Sequence, residues 1–251
     1  MKLAFVLVGL MLAIVGLANA GPLEDGKAAY DRKDFVVAMQ YWRPLAEQGN
    51  AEAQYRVGEL FRRGEGVTKD EAQAVVWFRK AADQGNADAE GAVGLYYFAG
   101  VGGLPKDLTQ FVTYLRRSAE HGNVQMQEAL GNYYSAGALL GGTTDPQQAV
   151  YWWTKAAENG SAAAMRRLGA AYSTGQLGTK NLELAISWMR KAAEKGDGPA
   201  QIGMGMAYMM GDGVPKDPKQ ALDWLQKAAQ QGGTTQTMAE TFIAQIKKGA
   251  P

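Results

Sequence analysis

Cysteine is missing from all 251 residues and histidine occurs once, at position 121. No disulfide can staple the fold, no thiolate can act as nucleophile or bind a metal, and a lipid-modified N-terminal cysteine is impossible. One imidazole also rules out a His-Glu-x-x-His zinc site. Charge of one sign is not in excess either, because the formal net charge is +1. General nucleic-acid or anionic-membrane binding wants a clear basic surplus, so neither is expected. A second long apolar run is lacking too.

The first such run opens the chain. "MKLAFVLVGLMLAIVGLANA" carries a lone Lys2, apolar residues from Leu3 to Leu17, and small residues at Ala18 and Ala20. That is the layout of a secretory signal peptide over residues 1–20, with cleavage expected after Ala20. The run is short of the roughly 20 residues that a spanning helix needs. The expectation is one domain over 21–251, periplasmic or secreted and not inserted in a membrane. Without Lys2, the 25 acidic side chains meet an equal number of basic ones. Stability must come from packing.

What the chain does have is a phrase that returns. "WFRKAADQGNADA" starts at Trp77, "WWTKAAENGSAAA" at Trp152, "WMRKAAEKGDGPA" at Trp188 and "WLQKAAQQGG" at Trp224. The glycines that end it fall at 49, 85, 122, 160, 196 and 232, spaced by 36, 37, 38, 36 and 36 residues. A second register runs through Gly58, Gly94, Gly131, Gly169 and Gly205, each followed three residues later by an aromatic. Two registers with one period announce repeats of a single supersecondary unit.

Each unit reads as two helices. Asp70, Asp107, Asp145, Asn181 and Asp217 are N-cap types ahead of the second helix, and Pro146 and Pro218 suit its first position. The glycine ending the phrase can take a left-handed conformation, and Asn50, Asn86, Asn123, Ser161 and Asp197 then cap the next helix. The phrase is therefore a helix end, a stop and a new start. A glycine inside a helix costs about 1 kcal/mol against alanine. Five at one register imply that two helices approach too closely there for a side chain. Loops such as "AGVGGLPKD" follow helices and recur, so they read as connections and not as phosphate cradles.

This unit closely resembles the Sel-one-like repeat, a relative of the tetratricopeptide repeat with a longer inter-helix loop. "GDGVPKDPKQALDWLQKAAQQG" (211–232) is nearly an ideal copy. The resemblance covers units at 50–85, 86–122, 123–160, 161–196 and 197–232. Residues 22–49 lack the long loop and look like a plain tetratricopeptide unit, while 234–248 reads as a capping helix. The implied fold is all-α, an α/α right-handed superhelical solenoid of helix–loop–helix repeats. Members resembling this one are mostly adaptors that bind other proteins, often on exported routes in bacteria. The implied function is a non-enzymatic binding scaffold for a protein or peptide. A regulator that occludes an envelope enzyme or sensor is a second reading, and a cell-wall or β-lactam hydrolase a weaker third. A cysteine-rich branch of the family is associated with penicillin binding, but this chain has no cysteine and none of its serines begins Ser-x-x-Lys.

No catalytic residue, metal site or cofactor is expected. His121 reads as a solvated cation near a helix C-terminus. The methionines at 204, 206, 209 and 210 could offer thioethers to copper, but read better as adaptable apolar filler. Binding is expected on first-helix positions that the repeat leaves free, three before, one after and four after the mid-helix glycine. These are Tyr55, Glu59 and Arg62; Gly91, Leu95 and Phe98; Glu128, Asn132 and Ser135. Arg166, Ala170 and Ser173 follow, then Ile202, Met206 and Met209. Tyr55, Glu59, Arg62, Leu95, Phe98, Glu128, Asn132, Arg166, Met206 and Met209 are the candidate partner contacts. The stripe is expected to lie off the packing face, charged at its start and apolar at its end. The Met-rich end is either open groove or covered by the tail, where Met238, Phe242 and Ile246 share a helical face. N-terminal sequencing of the exported protein should read from Gly21; membrane-bound chains starting at Met1 would contradict the leader.

Overall fold

The computed structural model describes residues 21–137, 144–176, 178 and 180–249, and all regular structure among them is helical. The leader of residues 1–20 lies outside this range. Two helices open the fold, α1 (Pro22–Asp31) and α2 (Phe35–Glu47). Five pairs follow: α3 (Ala51–Arg63) with α4 (Glu71–Ala82), α5 (Ala87–Ala99) with α6 (Leu108–Glu120), and α7 (Val124–Ala136) with α8 (Pro146–Glu158). Then come α9 (Ala162–Thr174) with α10 (Leu182–Glu194), α11 (Gly198–Met210) with α12 (Pro218–Ala229), and a terminal α13 (Gly233–Gly249). Substantial contacts join each helix to its sequence neighbours, and beyond those only α11 to α13. That is the contact map of a solenoid.

The caps explain the boundaries. Asp70 accepts a bond from the Gln73 amide, and Asp107, Asp145, Asn181 and Asp217 do the same at their helices. Each of these cap residues also donates its own N–H to the carbonyl of the first-helix aromatic, as Asp107 does to Tyr97 at 2.9 Å. This clasp closes the long loop. At the other end, Gly85 adopts φ +82°, and Asn86 N–H turns back to the Ala81 carbonyl at 3.1 Å while its side chain caps α5. A residue with a Cβ would be strained there.

The mid-helix glycines sit where the two helices of a pair touch. A Cβ on Gly58 would lie 2.6 Å from the Phe78 ring, and one on Gly205 2.6 Å from Leu225 Cγ. At Gly169 the obstacle is backbone: the Ala185 carbonyl oxygen at 3.1 Å and the Met189 nitrogen at 3.2 Å. At Gly58, Gly131, Gly169 and Gly205 the residue received by the glycine is the one after the repeat's tryptophan, whereas Gly94 meets Tyr114, which stands in the tryptophan's own place. Consecutive residues of a second helix thus serve two cores. Trp77 packs back among Trp42, Ala53 and Val57, whereas Phe78 packs forward among Ala89, Val93 and Tyr96. Trp152 and Trp153 divide in the same way.

A buried amide relay runs across the turns. Gln54 donates to the Ala46 carbonyl at 3.0 Å and accepts from Gln84 at 2.8 Å, tying α2, α3 and α4 together. Gln127 with Asn159, and Gln201 with Gln231, repeat it. In the second pair the relay is charged. Glu90 is fully buried, Arg117 bonds both it and the Ala82 carbonyl at 2.9 Å, and His121 Nδ1 lies 2.7 Å from its other oxygen. His121 is thus not the freely solvated cation that its helix-end position suggests. It is half-exposed but held by a carboxylate from the preceding first helix.

The tail also departs from expectation. Met238 is 52% exposed, and the buried stripe is Ala239, Phe242, Ile243 and Ile246 against Ile202 and Leu225. An i, i+3, i+4, i+7 set starting one residue later gives the wider apolar face.

Three variants test this packing. Gly169→Leu should destabilise by about 3 kcal/mol, because the backbone of α10 would have to retreat; an unchanged melting temperature would refute the close approach. Glu90→Met should cost about 2 kcal/mol by stripping partners from Arg117 and His121. Glu90→Gln combined with His121→Gln copies the Gln54–Gln84 pair and should recover most of that loss in chemical denaturation.

Candidate functional site

First helices of successive pairs run parallel and line one side of the solenoid. Most units fill the position three before the mid-helix glycine with a large side chain: Tyr55, Glu128, Arg166 or Ile202. The second pair has Gly91, where an added Cβ would lie 3.1 Å from Met126 Cγ and 3.2 Å from Ser118 Oγ. A groove of about 490 Å³ lies between α3, α5 and α7, with Met126 packed close on Gly91. Tyr55, Glu59, Arg62, Gly91 and Leu95 line it, so the structure brings together the stripe residues of the first two pairs except Phe98. Its floor and rim also hold Ala92, Tyr96, Val101 and Met126, with Asp88, Asn123 and Gln125 at one end.

The groove is electrostatically ordered. Arg62 grips Glu59 with two bonds of 2.7 Å, and Arg63 adds a third at 3.0 Å. Burial pushes the Glu59 carboxyl up, but the hydrogen bonds and charges of these arginines prevail and hold it below the ordinary range. Tyr55 is pushed up to about 12 by burial and then by the nearby carboxylates Glu59 and Asp88. The Tyr96 hydroxyl donates to Glu71, whose carboxyl is lowered by that bond and by Lys69. Burial and the same bond raise Tyr96. At neutral pH the phenols are therefore fixed donors and the carboxylates fixed acceptors. The Glu59 carboxylate gripped by Arg62 and Arg63, and the Tyr96 hydroxyl bonded to Glu71, hold charge and hydrogen-bonding groups in set positions.

The rest of the stripe has other duties. Ser161, the cap of α9, donates to Glu128; Asn132 accepts from Trp153 Nε1 at 3.0 Å; Arg166 pairs with Asp197, the cap of α11, at 3.0 Å. Phe98 is 42% exposed beside Phe111, with ring centroids 5.0 Å apart. Ile202 is buried, and Met206 packs against the cluster that holds Phe242 and Ile246, so the tail reaches Met206, whereas Met210 stays 59% exposed. Met206 also borders a smaller cavity of about 210 Å³ with Met189, Met210 and Ser173, while Met209 is half-buried. The stripe is not wholly off the packing face. Tyr55 lies 5.8 Å from the Phe78 ring and Glu59 is 13% exposed, so truncating them would disturb the core as well as the groove.

Sequence reasoning missed Asp88, Tyr96, Asn123 and Gln125, which lie outside the three stripe positions. The available signal was Gly91, a small residue where the other units carry bulk, and Met126 packs close on it. No group of three or more His, Cys, Asp or Glu is placed to hold a metal among the described residues. No described helix is long and apolar enough to cross a membrane.

Comparisons place the chain among known proteins. A family model described as the Sel1 repeat matches residues 15–50, 51–86, 87–123, 124–161, 162–197 and 198–233, so the opening unit, lacking the long loop, counts as a repeat too. The crystal structure of a protective antigen of uropathogenic Escherichia coli displaying an SLR fold is 34% identical with a TM-score of 0.80. That match covers 91% of this chain and 50% of the antigen, so the chain spans half the antigen's length. A Sel1 repeat protein from Oxalobacter formigenes is 31% identical with a TM-score of 0.78, over 85% of this chain and 86% of that one. Comparison with curated proteins found no match. Six consecutive repeats and two closely superposing solenoids establish that the chain belongs to the Sel1 repeat family.

Proposed function

We propose that this protein is an exported, non-enzymatic adaptor that binds a protein segment in the groove between α3, α5 and α7. The observation that carries the reading is the groove itself: residues of three first helices line it, among them Tyr55 on α3, Leu95 on α5 and Met126 on α7. Sel1 repeat folds commonly serve as protein-interaction scaffolds, which supports the same view. Homologues are often exported bacterial proteins, and the leader-like residues 1–20 favour export here. The exposed apolar side chains at Leu95 and Val101, 50% and 43% accessible, stand beside locked polar groups. Apolar anchors next to oriented hydrogen-bonding groups are the anatomy of an interface centre.

Leu95→Arg with Val101→Arg should abolish partner capture from an envelope fraction. Both side chains are exposed, so the melting temperature should stay near that of the parent. The control is Lys155→Ala with Lys191→Ala, on second helices away from the groove, and it should leave capture intact. Loss of capture in the control with none in the groove variant would assign binding to the opposite face.

A further inference from the structure

The methionine-rich end of the solenoid holds a cavity that its own methionines do not close. About 210 Å³ stays open between α9, α10 and α11, and Met189, Met206 and Met210 line it. A flexible thioether side chain serving only as filler would collapse into such a space. Each of the three also stands where the repeat does not ask for methionine. At the seat of Met189 the other pairs carry Phe78, Leu115, Trp153 and Leu225, and both leucines are buried there. Met206 answers to Glu59 and Asn132 of earlier pairs, and Met210 to Arg63 and Thr174.

The backbone brings the three side chains to one place. Gly203 stands where other pairs have Arg56, Ala92, Ala129 or Arg167, and a Cβ on it would lie 3.2 Å from Met189 Sδ. The bare backbone of α11 thus receives the Met189 sulfur from α10. Met206 and Met210 follow Gly203 by three and seven residues, so they share its face of α11. Helical side chains lean toward the N-terminus, which tips Met206 back over Gly203 and Met210 back over Met206. Positions four apart on one face are about 6 Å apart at Cβ, within reach of side chains this long. Met210 is 59% exposed and gives the cavity a mouth to solvent. Among the described residues that line it there is no lysine or arginine to repel a cation, and Ser173 and Asp212 are the polar ones.

The chemistry of this donor set is narrow. Thioethers are neutral, polarisable donors that select Cu(I), whereas Mg and Ca want oxygen and Zn(II) wants thiolate or imidazole. We infer that Met189, Met206 and Met210 form a binding site for the soft monovalent cation Cu(I), each sulfur donating a lone pair to it. The site belongs to the last two pairs and stands whether or not the groove between α3, α5 and α7 binds a protein.

Anaerobic titration of the purified protein with Cu(I), kept reduced by ascorbate and measured by competition with a coloured Cu(I) chelator, tests it. A single equivalent should be retained. Met189→Leu, Met206→Leu and Met210→Leu keep the apolar volume and remove the sulfur, so the metal-free melting temperature should stay near that of the parent. Each should weaken Cu(I) binding at least about tenfold, since disturbing even the surroundings of a ligand costs that much. Met210→Leu keeps the test clear of folding, because its side chain is exposed. Met238→Leu, exposed on α13, is the control and should bind as the parent does. Ag(I), a soft stand-in, should raise the melting temperature of the parent and leave that of the triple leucine variant unmoved. No Cu(I) retained by the parent, or undiminished binding by the triple leucine variant, would overturn the site and return the three methionines to packing alone.

Discussion

Everything in this solenoid hangs on one contact, the seating of a second-helix side chain against the bare backbone of a first-helix glycine. A helix does not choose glycine for its own stability, since alanine would be better by about 1 kcal/mol. Repeated at Gly58, Gly94, Gly131, Gly169 and Gly205, that choice makes sense only as a spacing rule. It brings the paired helices close enough for Phe78, Trp153 or Leu225 to be buried, and those residues reach into the core shared with the next unit. Close approach within a pair and cohesion between pairs are therefore one device.

The same rule decides which surface is free to do something else. Positions facing the partner helix are spoken for, and the relay of Gln54, Gln127 and Gln201 occupies the row beside them. What is left is a narrow stripe, and even this is partly consumed: Glu128 and Arg166 bond the caps of later helices. At the N-terminal side the stripe opens into the groove lined by Tyr55, Arg62 and Leu95. The groove here is local to the first three pairs. Nothing in the repeat geometry requires it.

Much of this was legible in the amino-acid order. The two glycine registers, the Asp, Asn and Ser caps and the prolines after them specify the starts and stops of the ten paired helices α3 to α12, because each obeys local rules. Tyr55, Glu59, Arg62 and Leu95 could be placed on one side by counting, and they do meet in the groove. Counting failed where partners come from other units. Asp88 and Asn123 read as ordinary first-turn and capping residues, and their meeting at the groove mouth depends on how far one unit is rotated against the next. His121 looked solvated because Glu90 lies thirty-one residues upstream in a different helix. Met238 was misplaced by one residue of helical phase, an error that only the packing of Ala239 and Ile243 on Ile202 could expose.

A groove walled by α3, α5 and α7 straddles two joints of a chain of units that touch only their neighbours. Such a chain bends as a spring does, by small rotations that add from joint to joint. The width of the groove is consequently a reading of local curvature: tightening the coil brings Tyr55 toward Gln125, and relaxing it draws them apart. Whatever lies across both joints resists that flexing. Occupancy would stiffen the N-terminal half of the spring while the half capped by α13 keeps its own compliance.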